Sequence, residues 1–427
     1  MRFLGIGDWN ELGPIYLHLL AEGHQVRVHI AEPSAHEVLG GMVDRCEDWR
    51  AELGWVRAAG ADGVILCETA AFGDTQDALR RDGYQVIGGS AMGDRLERDR
   101  RHGQEMLRRS GIPTIPSWSF LDAASTAAYI RDHPGRYVLK YDGDAGPGCQ
   151  TYPGRAADGA DLRALLEARA DACGPRHQLM AHVDGVEVGV GAYFNGQRFL
   201  DPPCMDWEHK HFFAGGIGEL TGEMGTVVTY AAPARLFDRT LGRLAEPLRR
   251  GGYRGYINLN LIVDERGIWP LEFTSRFGYP GSAILGVLQS DGWGALFRTL
   301  LDPSSRRHRA EPGFAVGVVL SVPPFPYHEG YERLSKGTAI AFAGLDEDDR
   351  RHLHLGEVAI HDGKLRCAGN IGALMTVTGT GADAAAARDA AYARVQKVVV
   401  PNLRWREDIG RTLIQRDLER LRGWGWL

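Results

Sequence analysis

The chain has 427 residues, 44% of them hydrophobic and 24% charged, and a net charge of −6. That length suits two or three cores, and that composition is globular. The acidic balance argues against a nucleic-acid partner, and the lack of any apolar run of about 18 residues argues against a membrane span.

The start, MRFLGIGDWNELG, lacks the basic-then-apolar pattern of a secretion signal, so a cytoplasmic protein is expected. Six cysteines (Cys46, Cys67, Cys149, Cys173, Cys204, Cys367) are scattered without CxxC spacing, the pattern of reduced thiols. Arg2–Ile6 reads as a strand, Leu12–Glu22 as a helix, Gln25–Ile30 and Asp62–Cys67 as strands, Gln76–Asp82 as a helix and Gln85–Ile87 as a strand. Alternating strands and helices predict a parallel-sheet α/β domain over residues 1–92. Leu96–Ser110 reads as one charged helix stopped by Gly111 and Pro113. Next come a strand at Tyr137–Lys140, a glycine-bearing loop, a helix at Asp161–Ala170 and strands at Gln178–Val183 and Val186–Phe194. A helix over Arg235–Arg250 leads to a hairpin. Phe314–Val322 reads as a strand, Glu357–His361 and Lys364–Cys367 as a hairpin around Asp362-Gly363, Thr376–Thr378 as a strand and Asp383–Lys397 as a helix.

Four stretches carry chemistry. In NLNLIVDERGIWPLEFTSRFG, residues 258–278, a loop Glu265-Arg266-Gly267 with Gly267 left-handed sets Asn260 opposite Glu272 and Asn258 opposite Thr274. These four then share one face, with Arg276 just beyond. Such oxygens suit Mg²⁺ (or Mn²⁺) beside phosphates; the plain alternative is an ion pair between Glu272 and Arg276. In VLKYDGDAGPGCQ, Lys140 precedes a glycine-rich loop that can cradle phosphate, or is a surface turn. In HVDGVEV, Glu187 can hold ribose hydroxyls or face solvent. In DWEHKHFFAGGIGELTGEMG, residues 206–225, His209, Lys210 and His211 precede a glycine-rich stretch that suits a mobile lid. Zinc held by His209 and His211 is the alternative, without a third ligand at supporting spacing.

In this order the stretches resemble the ATP-grasp superfamily, and most nearly the glycinamide ribonucleotide synthetases. IGGSAMGDRLERDRRHGQEMLRRSGIPT is similar to the helix before that family's ATP site, and LEFTSRFGYPG to its Glu-Phe-Asn-x-Arg-Phe-Gly-Asp-Pro segment. EHKHFFAGGIGELTGEMG resembles its Asp-His-Lys segment and Thr-Gly-Gly-Met-Gly loop. DGKLRCAGNIGALMTVTG and LRWREDIGR resemble its C-terminal hairpin and Tyr-Arg-x-Asp-Ile-Gly tail. The resemblance implies an α/β protein of three parts: the parallel-sheet domain, a two-lobe α+β ATP-grasp domain over 93–310 with a mobile nucleotide lobe near 115–188, and a small α+β domain over 311–427. It implies ATP contacts at Arg100, Lys140, Asp142, Gly146, Gly148, Val183 and Glu187, and metal contacts at Glu272, Asn260 and Thr274. It implies catalytic roles for Arg276, Lys210 and His209, and substrate contacts at Glu208, Thr221, Gly222, Glu223 and Met224. The implied reaction is ATP-dependent ligation of a carboxylate, glycine or another amino acid, to an amine through an acyl phosphate, by a monomer or homodimer.

Departures cluster near the expected amine. Asp8 and Trp9 stand in the first loop, Pro147 in the phosphate loop and Thr274 at a metal position. Tyr279-Pro280-Gly281 follows the metal segment, and Ile371-Gly372-Ala373 replaces a Gly-Gly-Arg turn. The leading expectation is therefore a ligase with an altered acceptor site. The alternatives are a genuine phosphoribosylamine–glycine ligase and a nucleotide-binding protein without catalysis.

Overall fold

The computed structural model describes residues 1–141, 151–168, 177–231 and 234–427, with the side chains of Tyr141 and His177 excepted. Asp142, Gly146, Pro147, Gly148, Cys149 and Cys173 lie outside them. By its contacts the chain forms two units: Met1–Ile112, Glu187–Leu261 and Glu272–Leu427, and a second of Pro113–Val186 with Ile262–Leu271. The boundaries read at 92 and 310 are not drawn by this grouping, because strands on both sides of 310 hydrogen-bond into one sheet.

The chain opens with a five-stranded parallel sheet of β1 (Arg2–Gly7), β2 (Gln25–Ile30), β3 (Asp44–Arg45), β4 (Gly63–Cys67) and β5 (Gln85–Ile87), ordered β3-β2-β1-β4-β5. Helices at Gly13–Ala21 and Gly73–Arg81 connect strands, as the alternation predicts. β4 is buried throughout, which is why Val64–Cys67 reads as a continuous apolar run. Leu4, Ile6, Ile65 and Val86 pack with Trp49, Val56 and Leu79.

The helix expected over Leu96–Ser110 is two helices, Ala91–Arg98 and Arg100–Arg109. Asp99 leaves the helical region at φ −107°, ψ 88°, and its carboxylate accepts from His102 N. An aspartate at the start of a helix satisfies an otherwise free N–H, so it begins a second helix. The helix expected over Arg235–Arg250 also breaks, into Ala234–Arg239, a 3₁₀ turn at Leu241–Leu244 and Ala245–Arg250. Thr240 is non-helical there, and its hydroxyl bonds back to Leu236 O.

The second unit holds a four-stranded sheet of β6 (Ser117–Phe120), β7 (Tyr137–Tyr141), β8 (Tyr152–Pro153) and β9 (His177–Ala181), ordered β6-β9-β7-β8. Helices Ala123–Asp132 and Ala160–Ala168 cover it, burying Ile130, Leu139, Leu162 and Leu179.

The largest sheet has eight strands. Its members are β10 (Val186–Phe194), β11 (Cys204–Glu208), β14 (Gly225–Thr229), β15 (Gly255–Val263), β16 (Ile268–Thr274), β17 (Phe314–Ser321), Leu353–Leu355 and Ala373–Gly381. β12 (His211–Phe213) and β13 (Ile217–Leu220) form a separate hairpin. The stretch expected to be a loop-like lid is thus this hairpin between two sheet strands. The β15–β16 turn also differs from expectation: Gly267 does not have positive φ. Asp264 closes the turn instead, its carboxylate accepting from Arg266 N and Gly267 N at 2.8 and 2.9 Å. Asp362 and Gly363, at φ 50° and 70°, do form the expected tight turn. Cys46, Cys67, Cys204 and Cys367 are free thiols. Among the described residues no helix is long and apolar enough to cross a membrane.

Candidate active site

The polar stripe of the β15–β16 hairpin lines a cavity of about 310 Å³. Asn258, Asn260, Glu272 and Thr274 all reach it, so the expected shared face is present. Alternation along β11 adds Asp206 and Glu208, two residues apart. Glu97, Lys210, Glu223 and Arg276 complete the charged lining among the described residues, and Gly222 lies beside them.

Glu272 does not pair with Arg276. Its carboxylate lies between Arg100 Nη2 and Lys210 Nζ, each at 3.2 Å. Arg100 reaches it from the first residue of the helix that Asp99 caps. Lys210 Nζ also meets Glu208 Oε2 at 3.1 Å, and Asn260 Nδ2 donates to that same oxygen at 2.9 Å. Burial pushes the Lys210 ammonium toward neutrality, but Glu208 and Glu272 outweigh it and hold the group charged. Arg276 faces other acids: Nε donates to Glu97 Oε1 at 3.1 Å and Nη1 to Glu11 Oε2 at 3.3 Å. Glu97 also accepts from Ser275 N at 2.6 Å, which fixes the turn carrying Arg276.

Asp206 is buried against Gly189, where any Cβ would overlap its carboxylate. Burial, then the neighbouring Glu208, pushes its carboxyl above the usual carboxylate range. Glu223 is raised well above the usual carboxylate range by burial, then by Glu208 and Asp206. Asp206, Glu11 and Glu97 are not among the residues that the motifs single out. The two-residue spacing of Asp206 and Glu208 was the available signal for the first; the other two are brought in by tertiary contacts.

Other expected site residues sit elsewhere. His209 Nε2 accepts from Gly410 N at 3.1 Å, and burial, then Arg406, lowers its imidazole to about 4. It ties the tail to β11 and does not line the cavity. His211 bonds Gly218 O across its own hairpin, so it does not converge with His209 on a zinc. Thr221 donates from N and Oγ1 to Lys210 O at 2.9 and 2.8 Å, positioning the lysine backbone. Met224 is fully buried beside Phe212, Phe325 and Ala373. Glu187 is exposed at the start of β10, close enough to Lys210 to help hold its charge. In the second unit, Lys140 is buried on β7 and Val183 half-buried after β9. Asp142, Gly146 and Gly148 lie outside the described residues.

A second cavity, about 340 Å³, shares Gly222, Glu223 and Tyr279 with the first. Trp9, Glu11, Glu357, Ile371 and Ala373 also line it, so several sequence departures meet at one place. No lysine or arginine is among its described lining residues. Glu357 is engaged by the backbone, accepting from Ile371 N and Gly372 N at 3.0 and 2.6 Å.

Among the described residues no three His, Cys, Asp or Glu side chains assemble into a complete metal site. The donors around Glu272 are nonetheless hard oxygens. They fit Mg²⁺ or Mn²⁺ that takes one protein carboxylate and completes its shell from phosphates and water.

Residues 98–282 match the family model of the phosphoribosylglycinamide synthetase ATP-grasp (A) domain. A phosphoribosylamine–glycine ligase of Caulobacter vibrioides is 30% identical over 403 residues, covering 86% of this chain and 90% of the relative. The crystal structure of a phosphoribosylamine–glycine ligase from Thermotoga maritima has a TM-score of 0.72 and 20% identity, covering 96% of this chain and 100% of that one. The biotin carboxylase domain of Hydrogenobacter thermophilus 2-oxoglutarate carboxylase, solved with ADP, magnesium and bicarbonate, has a TM-score of 0.63 and 11% identity, covering 99% and 97%. The two solved structures share the fold, and the Caulobacter relative fixes the family: the chain belongs to the phosphoribosylamine–glycine ligases, ATP-grasp enzymes that form C–N bonds.

Proposed function

We propose that the protein joins glycine to phosphoribosylamine at the expense of ATP. What carries this reading is similarity along nearly the whole chain to curated ligases of that name. It favours a genuine phosphoribosylamine–glycine ligase over the altered acceptor site expected first. A glycine carboxylate oxygen attacks the γ-phosphorus of ATP, the bond to the β-bridging oxygen breaks, and glycyl phosphate and ADP result. The amine attacks the acyl carbon, phosphate leaves with the bonding electrons, and the nitrogen loses a proton. Lys210 and Arg276 are the two cations among the cavity's described lining residues, suited to spread charge as the phosphoryl group moves. Glu272, with Asn260 and Thr274 beside it, would hold Mg²⁺, which neutralises phosphate charge when bound. The glycine-bearing hairpin β12–β13 is suited to keeping water from the acyl phosphate. Contacts of Lys140 and Val183 with the nucleotide belong to the same proposal.

One observation favours a second reading. The second cavity's described lining has carboxylates and an indole but no lysine or arginine to meet a substrate phosphate. An unphosphorylated amine would suit that lining better. Complementation separates the two. Growth of a purine auxotroph that lacks its own phosphoribosylamine–glycine ligase, lost with Lys210→Ala, supports the first reading. No growth despite folded, expressed protein contradicts it.

A further inference from the structure

Among the described lining of the first cavity, five side chains keep a buried oxygen without a hydrogen-bond partner: the hydroxyls of Thr226 and Tyr279, and three acceptors, Asp206 Oδ1, Glu223 Oε1 and Asn258 Oδ1. The residues of the three acceptors are 4%, 8% and 5% exposed. Buried acceptors left this way are costly, and two are carboxylates. The nearby cations are already engaged: Lys210 by Glu208 and Glu272, Arg276 by Glu97 and Glu11. Asn258 cannot turn its amide N–H toward Asp206 Oδ1, because Nδ2 already donates to Asp206 Oδ2 at 2.5 Å and to Tyr256 Oη at 3.2 Å. Its carbonyl oxygen is therefore an acceptor offered to the cavity.

Two carboxyls and an amide carbonyl, gathered at one wall of the cavity, complement a compact cation with several N–H groups. A primary ammonium presents three. A metal ion fits less well, since no cluster of three suitable ligands assembles among the described residues. A carboxylate or phosphate placed there would be repelled. Glu223 occupies the third position of TGEMG, which is glycine in the family's Thr-Gly-Gly-Met-Gly loop, so its carboxylate is a feature of this chain.

We propose that Asp206, Glu223 and Asn258 form the seat for the ammonium group of the amino acid whose carboxylate is activated. This rests on the reading that the cavity takes an amino acid, and it adds which atoms select one. A hydroxy acid of the same size, with the carboxylate but no ammonium, is rejected because the buried oxygens stay unpaired. The seat acts on substrate selection and leaves nucleotide binding to other residues.

The test is calorimetric titration of glycine and of glycolate into the full-length protein holding Mg²⁺ and a non-hydrolysable ATP analogue. Wild type is expected to bind glycolate at least about tenfold more weakly than glycine. Asp206→Asn and Glu223→Gln, near-isosteric and checked for folding by circular dichroism, should each lose glycine affinity and narrow that ratio, with the nucleotide Kd unchanged. The proposal is overturned if both variants keep the wild-type ratio, or if wild type binds glycolate as well as glycine or binds neither. Should ADP release prove independent of phosphoribosylamine while Asp206→Asn still erases the preference for glycine, the proposed reaction falls and the seat stands.

Discussion

Glu272 is held by two cations, Arg100 and Lys210, and stays partly open to solvent. Glu272→Gln should abolish Mg²⁺-dependent turnover while changing stability by no more than about 1 kcal/mol, because the pairs it removes are partly exposed. Thermal unfolding and ADP release, measured side by side, check this; full activity in the variant would remove Glu272 from the metal site. Lys210 is placed differently. It is half-buried, its backbone carbonyl is fixed by Thr221, and its ammonium spans Glu208 and Glu272. Lys210→Ala should lower kcat by about 100-fold or more, as expected for losing a preorganised cation at developing charge. The Kd for ATP should move less, and an unchanged kcat would place Lys210 outside the reaction.

At the scale of elements, the C-terminal tail clasps the β12–β13 hairpin. Arg406 Nη1 donates to His211 O at 2.9 Å, and Gly215 N donates to Asp408 Oδ2 at 2.8 Å. Arg406 and Asp408 also pair with each other, both nearly buried. Asp408→Ala removes one partner of a buried pair, so we expect a loss of about 3 kcal/mol. Amide exchange should quicken most over residues 211–220. Uniform acceleration across the chain would instead make the pair a general stability element. The hairpin also marks where sequence reading stopped. The glycines of AGGIGELTGEMG resemble a loop, and nothing local reveals that Cys204–Glu208 and Gly225–Thr229 are neighbouring central strands. Their pairing is long-range, so no periodicity announces it. Elements with strong local signals were legible: the buried run of β4, the helix from Ala384 capped by Asp383, and the Asp362-Gly363 turn. The shared face of Asn258, Asn260, Glu272 and Thr274 was legible from strand alternation alone. The partners of Arg276 were not, since Glu11 and Glu97 are far away in sequence. The motif match that suggested catalysis by His209 carried no information about Gly410, which occupies its Nε2.

For the molecule as a whole, stability and activity make separate claims. Glu68 is fully buried at the end of the first sheet, accepting from Tyr16 Oη and Glu11 N at 2.9 and 2.8 Å. Burial raises its carboxyl from 4.5 to about 8. Between those values the folded state keeps a proton that the unfolded state has released, so this group's contribution falls as pH rises from 4.5 to about 8 and then levels off. Glu68→Gln should flatten that part of the stability profile in urea denaturation across the interval; an unchanged slope would show that Glu68 is ionised in the fold. The proposed activity rests on the family shared along nearly the full chain and on the charged cavity lined by β15 and β16. The most direct measurement is ADP release with Mg-ATP and glycine, with and without phosphoribosylamine generated in situ, and with mass spectrometry of the product. The account predicts release that needs both substrates and yields one amide per ADP. No release with phosphoribosylamine, while ATP still binds, would contradict it.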